Sequence, residues 1–332
     1  MPSKTEDAAA SPDYRTLGES INIATRPVHT SLNKLIILRL RLALPPQADD
    51  ASNYVQGLLH ITPIYTTFES LWREILESSP APVHSQLSAP KDGSAPSTGA
   101  ATASPRIHDL LFSTHIPTLS RSDALRADLV SLTGWTEAEL AAQLAEVSAS
   151  PVLQAFLSHT RRSVSAKPHV LLAYAWVLYM ALFAGGRFIR ASLERVDPRS
   201  AFWGPLGASA SSSFSEPGGG DDDDDDVTER MPGGFPSSAS VGERDGMDKV
   251  KERVERTQHP LSFFRFASPS DGQDLRQTFK ARVADATWNL AAEEIDDVVA
   301  EARQIFERMI GVVGELDEVC GTEFEEAKAA VP

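Results

Sequence analysis

His29 sits in the run INIATRPVHTSLNKLI with Arg26 three residues before it and Asn33 four after. At helical spacing all three share one face. An imidazole in that setting is either a satisfied core side chain or a metal ligand, and spacing alone leaves both open. Several metal and hydrolytic chemistries are excluded. No histidine has a glutamate three residues before it, as a di-iron bundle requires. His-Glu-x-x-His, a glycine-rich phosphate loop and a Gly-x-Ser-x-Gly elbow are also absent. The single cysteine, Cys320, rules out an internal disulfide framework and any multi-cysteine metal site. Haem iron remains compatible, since it needs one histidine, a dry slot and a few basic groups for the propionates.

The elements that must position these groups read as helices. Thr25 is expected to cap a helix whose first turn holds Pro27 and whose apolar face is Val28, Leu32, Leu35 and Ile36, ending at Pro45-Pro46. A second helix covers Tyr54–Leu76 with Pro63 inside it. Shorter helices are expected at Ile107–Thr114, Ser122–Leu132, Thr136–Val147 and Val152–Arg162, the third opening on the capping box TEAE. A long apolar helix spans Pro168–Val196, and Asp271–Asn289 and Ala291–Val319 complete the set. No useful strand-period run occurs, so the fold is expected to be all-α, one multi-helical domain over 15–330 behind a disordered tail at 1–14.

Ser78–Ser104 and Gly204–Gly246, the latter holding the Asp221–Asp226 run, have the composition of solvated linkers. The net charge of −15 argues against nucleic acid as a partner. The apolar segment HVLLAYAWVLYMALFAGG is close to the length of a membrane span. Its aromatics lie in the middle and not at the ends, so a buried central helix is expected, with no span in this chain. The start of the chain lacks a signal-peptide core, which points to a cytoplasmic setting, with the cytosolic face of a membrane as a variant of it.

Seven segments, in order, resemble the haem oxygenase family, in wording closest to its fungal branch. They are ATRPVHTSLN, YVQGLLHITPIYTTFESLW, RIHDLLFSTHIPTLSRSDALRADLVSLTG, AYAWVLYMALFAGGRFIR, HPLSFFRF, LRQTFKARV and EEIDDVVAEARQIFERMIGVVGEL. The resemblance implies that haem, as substrate and cofactor, is held between a proximal helix bearing His29 and a distal helix bearing Gly185-Gly186. It implies His29 as the iron ligand, Arg26, Arg276 and Lys280 near the propionates, and Phe306 against the macrocycle, with Met309 and Val313 as neighbouring contacts. The implied reaction opens haem to biliverdin, carbon monoxide and ferrous iron, using O2 and electrons from NADPH through a reductase partner. One departure matters. The family's distal aspartate, three positions before the first glycine, is Leu182 here, and its neighbouring glycine is Ala181. Tyr179 is retained as a weaker organiser of distal water. The alternative implied by Leu182 is a catalytically degenerate haem-binding or haem-sensing protein, and a third is a scaffold without haem. His60 is expected to be a core histidine and His169 to face solvent or its own helix start.

Overall fold

The structure is a computed structural model, which describes residues 15–78, 103–204 and 259–322. The tail at 1–14, nearly all of the first linker and all of the second after Gly204 lie outside the described residues. Ten helices in the described residues carry the fold: α1 (Leu17–Leu42), α2 (Ser52–Glu77), α3 (Pro105–Thr114), α4 (Ser122–Thr133), α5 (Glu137–Ser148), α6 (Pro151–Ala166), α7 (Leu171–Ala181), α8 (Arg187–Leu193), α9 (Gln273–Thr287) and α10 (Ala292–Cys320). A π turn, Leu182–Gly186, joins α7 to α8. No strand occurs among the described residues, and the fold is all-α as expected.

The first helix starts two turns earlier than its apolar pattern implied. Thr16 is the N-cap: its hydroxyl accepts from the Glu19 N–H while the Glu19 carboxylate accepts from the Thr16 N–H, a complete capping box. Thr25 is instead buried mid-helix, donating to the Ile21 carbonyl at 2.8 Å. Pro27 is therefore an interior proline, tolerated because α1 is held on α10 along its length. Arg303 donates to the Ala24 carbonyl, the Phe306 ring meets His29, and Arg39 forms a two-pronged pair with Asp317.

The apolar segment is a core helix. Leu171–Tyr179 are buried without a break, which satisfies a uniformly apolar sequence without a membrane. Its expected single span is interrupted by the π turn. At the start of that turn the Leu182 N–H reaches back to the Tyr179 carbonyl, and the Tyr65 hydroxyl of α2 donates to the Leu178 carbonyl at 2.9 Å. A side chain inserted at the helix ladder is a recognised cause of such a break, and π turns recur at functional sites. α9 is likewise shorter than its pattern, because Gly272 takes φ +83 and starts it.

Candidate functional site

α1 and the stretch from α7 to α8 meet near both ends of α1, and the span between those contacts is the candidate cleft. Near its N-terminus α1 touches α7 so closely that a Cβ on Gly18 would lie 2.2 Å from the Trp176 ring, and Trp176 Nε1 donates to Asn22 Oδ1 at 3.2 Å. Just past the far end of α1, Leu44 and Pro45 meet Ser192, Arg195 and Val196 around a cavity of about 430 Å³. Between these two contacts Arg26, His29 and Asn33 are exposed on α1, and Ala181, Ala184, Gly185 and Phe188 are exposed along the π turn and its flanks. Counted from the Gly18–Trp176 contact at ~1.5 Å per residue, His29 and Gly185 stand at nearly the same height, about 16 and 14 Å along.

His29 is an exposed imidazole, not a core one. Its ring meets Phe306 edge-on at 5.3 Å, and Nε2 lies 3.2 Å from Asn33 Nδ2. An amide nitrogen has only hydrogens to offer, so Nε2 is the acceptor and its lone pair is engaged by Asn33. Phe306, Met309 and Val313 are buried on α10 behind it. His60 is buried, bonded through Nδ1 to the Gln56 carbonyl, and is the core histidine expected. His169 is corrected: it is buried and its Nε2 meets Asp297 at 3.2 Å. A helix start facing solvent would leave it open, but α10 packs across it.

The two glycines separate. A Cβ on Gly185 would meet nothing within 4 Å, whereas one on Gly186 would lie 3.3 Å from Leu182 and from Phe264. Gly186 is a packing glycine, and only Gly185 turns bare backbone to open space. Leu182 is buried and fills the space over Gly186.

Two of the expected basic residues, Arg276 and Lys280, lie on α9, which packs against α1. α9 is docked by Phe279, whose ring lies 6.2 Å from Trp176 and 6.0 Å from Tyr179. Arg276, one turn earlier, has a buried Nε with no acceptor. Lys280 is exposed near the start of α1. The Glu19 carboxyl is held below its ordinary value first by the Thr16 hydrogen bonds, then by Arg15 and Lys280. Arg26 is exposed on α1, one turn before His29. Arg282 points elsewhere, donating to the His115 carbonyl at 2.6 Å.

Tyr179 does not face open space. Its hydroxyl donates to Glu69 Oε1 at 3.1 Å inside the core, and burial, then the Glu69 charge, push the phenol well above its usual range. Glu69 also accepts from the Ser120 hydroxyl, the Arg121 and Ser122 N–H groups and the Ser122 hydroxyl. The Arg121 guanidinium covers the Phe266 ring at 4.4 Å, and Phe266 stacks on Phe183 of the π turn at 4.8 Å. Sequence reasoning passed over this polar cluster behind the distal wall. Its one signal was Glu69 lying four residues after Tyr65 on an otherwise apolar helix face.

These residues suit a flat, anionic-edged iron macrocycle: an exposed imidazole whose hydrogen-bond partner is the Asn33 amide, a buried guanidinium nitrogen lacking an acceptor, and a bare-backbone wall at matching height. Among the described residues no cluster of three or more metal-binding side chains offers a different metal site.

Residues 100–315 match the family described as heme oxygenase. The heme-binding protein HMX1 of Saccharomyces cerevisiae is 26% identical over 186 residues, which cover 55% of this chain and 51% of that protein. The chain thus spans about half the length of this curated relative. Among solved structures, heme oxygenase-2 from Synechocystis, in complex with heme and NO, superposes with a TM-score of 0.55 at 14% identity, covering 92% of this chain and 86% of that one. Heme oxygenase 2 from Chlamydomonas reinhardtii, solved without heme, gives 0.53 at 14%, covering 90% and 97%. At such identity the two structures establish the fold alone.

Proposed function

This chain belongs to the haem oxygenase family, and we propose that it binds haem between α1 and the π turn, with His29 as the residue that would hold the iron, and opens the ring to biliverdin, carbon monoxide and ferrous iron. The observation that carries the proposal is the exposed His29 imidazole, held by Phe306 and Asn33 at the height of the open Gly185 backbone. Bound haem would supply the iron that activates O2, with electrons from NADPH delivered by a reductase. The chain's own residues bind and orient. Asn33 holds the His29 ring through Nε2 and would have to release that nitrogen for it to ligate iron, while Phe306 packs edge-on against the ring. Arg26, Arg276 and Lys280 place positive charge where the propionates would lie, and Arg276 gains an acceptor for its buried Nε. Gly185 lets backbone approach the ring face without a side chain in the way. Phe183 and Leu182, both buried, exclude water from the wall beneath it. A cytoplasmic location belongs to the same proposal, and imaging the tagged chain in cells tests it.

A second reading rests on the same wall. Leu182 is apolar and buried, and the nearest retained hydroxyl, Tyr179, is committed to Glu69. A haem-binding or haem-sensing protein with little turnover would have such a distal side, because neither Leu182 nor the engaged Tyr179 hydroxyl is placed to order water for proton delivery. One experiment separates the two. Purified protein receives one equivalent of haemin, then NADPH and a reductase in air. Decay of the Soret band to a biliverdin spectrum with iron release supports the enzyme. A persistent histidine-ligated spectrum that Leu182→Asp converts to turnover supports the degenerate binder. A His29→Ala protein whose haemin spectrum matches that of the parent would overturn both.

A further inference from the structure

The cavity of about 430 Å³ beyond the C-terminal end of α1 is a separate candidate. It is lined by Leu44, Pro45, Ser192, Arg195, Val196, Asp197 and Ser200. Its volume falls in the range of small-molecule sites. Leu44 lies fifteen residues past His29 in sequence, roughly 20 Å along α1, so the cavity stands clear of the imidazole.

Two of its polar groups lack partners, although the Ser192 hydroxyl donates to the Phe188 carbonyl at 3.0 Å. The Ser200 hydroxyl is buried and has no hydrogen-bond partner, which is uncommon because such a group costs free energy when left unpaired. Two further buried groups behind the same wall share that condition. One is the Trp203 indole N–H, whose backbone N–H bonds to the Ser200 carbonyl at 3.2 Å. The other is the Tyr54 hydroxyl, whose ring lies 6.5 Å from that of Trp203. Neighbouring arginines are occupied: Arg190 and Arg265 pair with Glu194, and Arg190 also with Asp271. Arg195 is exposed and has no ion pair or side-chain hydrogen bond among the described residues. Asp197 tempers the positive charge, although its Oδ1 already accepts from the Arg199 N–H at 2.8 Å. Leu44, Pro45 and Val196 supply the apolar remainder.

We propose that this cavity binds a small amphipathic carboxylate, its anionic end held by Arg195 and the Ser200 hydroxyl and its aliphatic body against Leu44, Pro45 and Val196. A guanidinium and a hydroxyl donor lining one cavity can serve two carboxylate oxygens, and the apolar wall favours a hydrocarbon tail over an inorganic anion.

Decanoate is the probe, titrated into the full chain by calorimetry with 1-decanol as the uncharged control. Saturable decanoate binding is expected, with 1-decanol at least tenfold weaker. Losing the charge-assisted contact in Arg195→Ala should weaken binding by roughly ten- to a hundredfold, and Ser200→Ala by about two- to tenfold. Arg195→Lys, which keeps the charge on a similar stem, should recover part of the loss and guards against a variant that simply misfolds. The titration is repeated with saturating haemin and with His29→Ala. Unchanged decanoate affinity in both supports a site distinct from the cleft, whether or not haem binding itself stands. Absence of saturable binding, equal binding of 1-decanol, indifference to Arg195→Ala, or displacement by haemin would each overturn the proposal.

Discussion

Gly185→Ala and Gly18→Ala should move stability in opposite directions. A Cβ at Gly185 meets nothing within 4 Å, and the residue has no positive φ to forbid alanine. Alanine there restricts the unfolded chain and suits helical backbone, a gain of about 0.5–1 kcal/mol. For a folded unit of this size that raises Tm by about 1–4 °C. A Cβ at Gly18 lies 2.2–2.8 Å from three carbons of Trp176, a buried ring tethered through Nε1 to Asn22. Overpacking of that kind costs about 1–3 kcal/mol, more than the helix-propensity gain offsets. Haem binding supplies the second readout. A methyl group at Gly185 would hold a ring away from bare backbone, and a gap of ~0.5–1 Å already forfeits a quarter to a half of each dispersion contact. Haemin affinity should therefore fall by about tenfold, ~1.4 kcal/mol. Urea denaturation of the haem-free protein and Soret titration measure the two effects. A Gly185→Ala protein that binds haemin as tightly as its parent would refute the placement of Gly185 at the cleft. A Gly18→Ala protein of undiminished stability would refute the close contact between α1 and α7.

Glu69→Gln should destabilise the fold by about 1–3 kcal/mol in urea denaturation, because it turns one buried acceptor oxygen shared by Tyr179, Ser122 and the Arg121 backbone N–H into a donor and removes a negative charge near the Arg121 guanidinium. A loss below about 1 kcal/mol would contradict the network. Arg276→Ala combined with Lys280→Ala should weaken haemin binding while leaving the far-UV circular dichroism unchanged, and unaltered affinity would remove both from the propionate role. The Asp297 carboxyl is raised by burial but lowered further by hydrogen bonds from Lys167 and His169, for a net shift below its ordinary value. A carboxyl with a depressed folded pKa stabilises the fold above its unfolded value of about 3.9, and that contribution is lost as pH falls through the folded value. Asp297→Asn should consequently flatten the acid limb of a stability-versus-pH profile below about pH 4, whereas an identical limb would show that the pair contributes nothing.

Much of this architecture was legible from local pattern. Helix type, the Thr136 capping box and the order of the elements follow from apolar spacing and cap chemistry, which act over a few residues. Uniform apolarity of Leu171–Tyr179 already implied burial on all sides. The candidacy of His29 was also legible, from its basic and amide neighbours on one face. Other features depended on groups far apart in the chain. The start of α1 was misplaced because Pro27 looks like a first-turn proline until α10 is seen supporting the helix beside it. Whether His29 was core or open could not be read from spacing, since the apolar face beside it belongs to α10. Gly185 and Gly186 are indistinguishable as letters, and Phe264, some eighty residues on, joins Leu182 in making one a packing glycine. Tyr179 looked available for water until Glu69, 110 residues earlier, claimed its hydrogen. Periodicity fixes which residues share a helix face; which neighbour covers that face is settled when the helices pack, because the contacts that decide it join residues the chain keeps far apart.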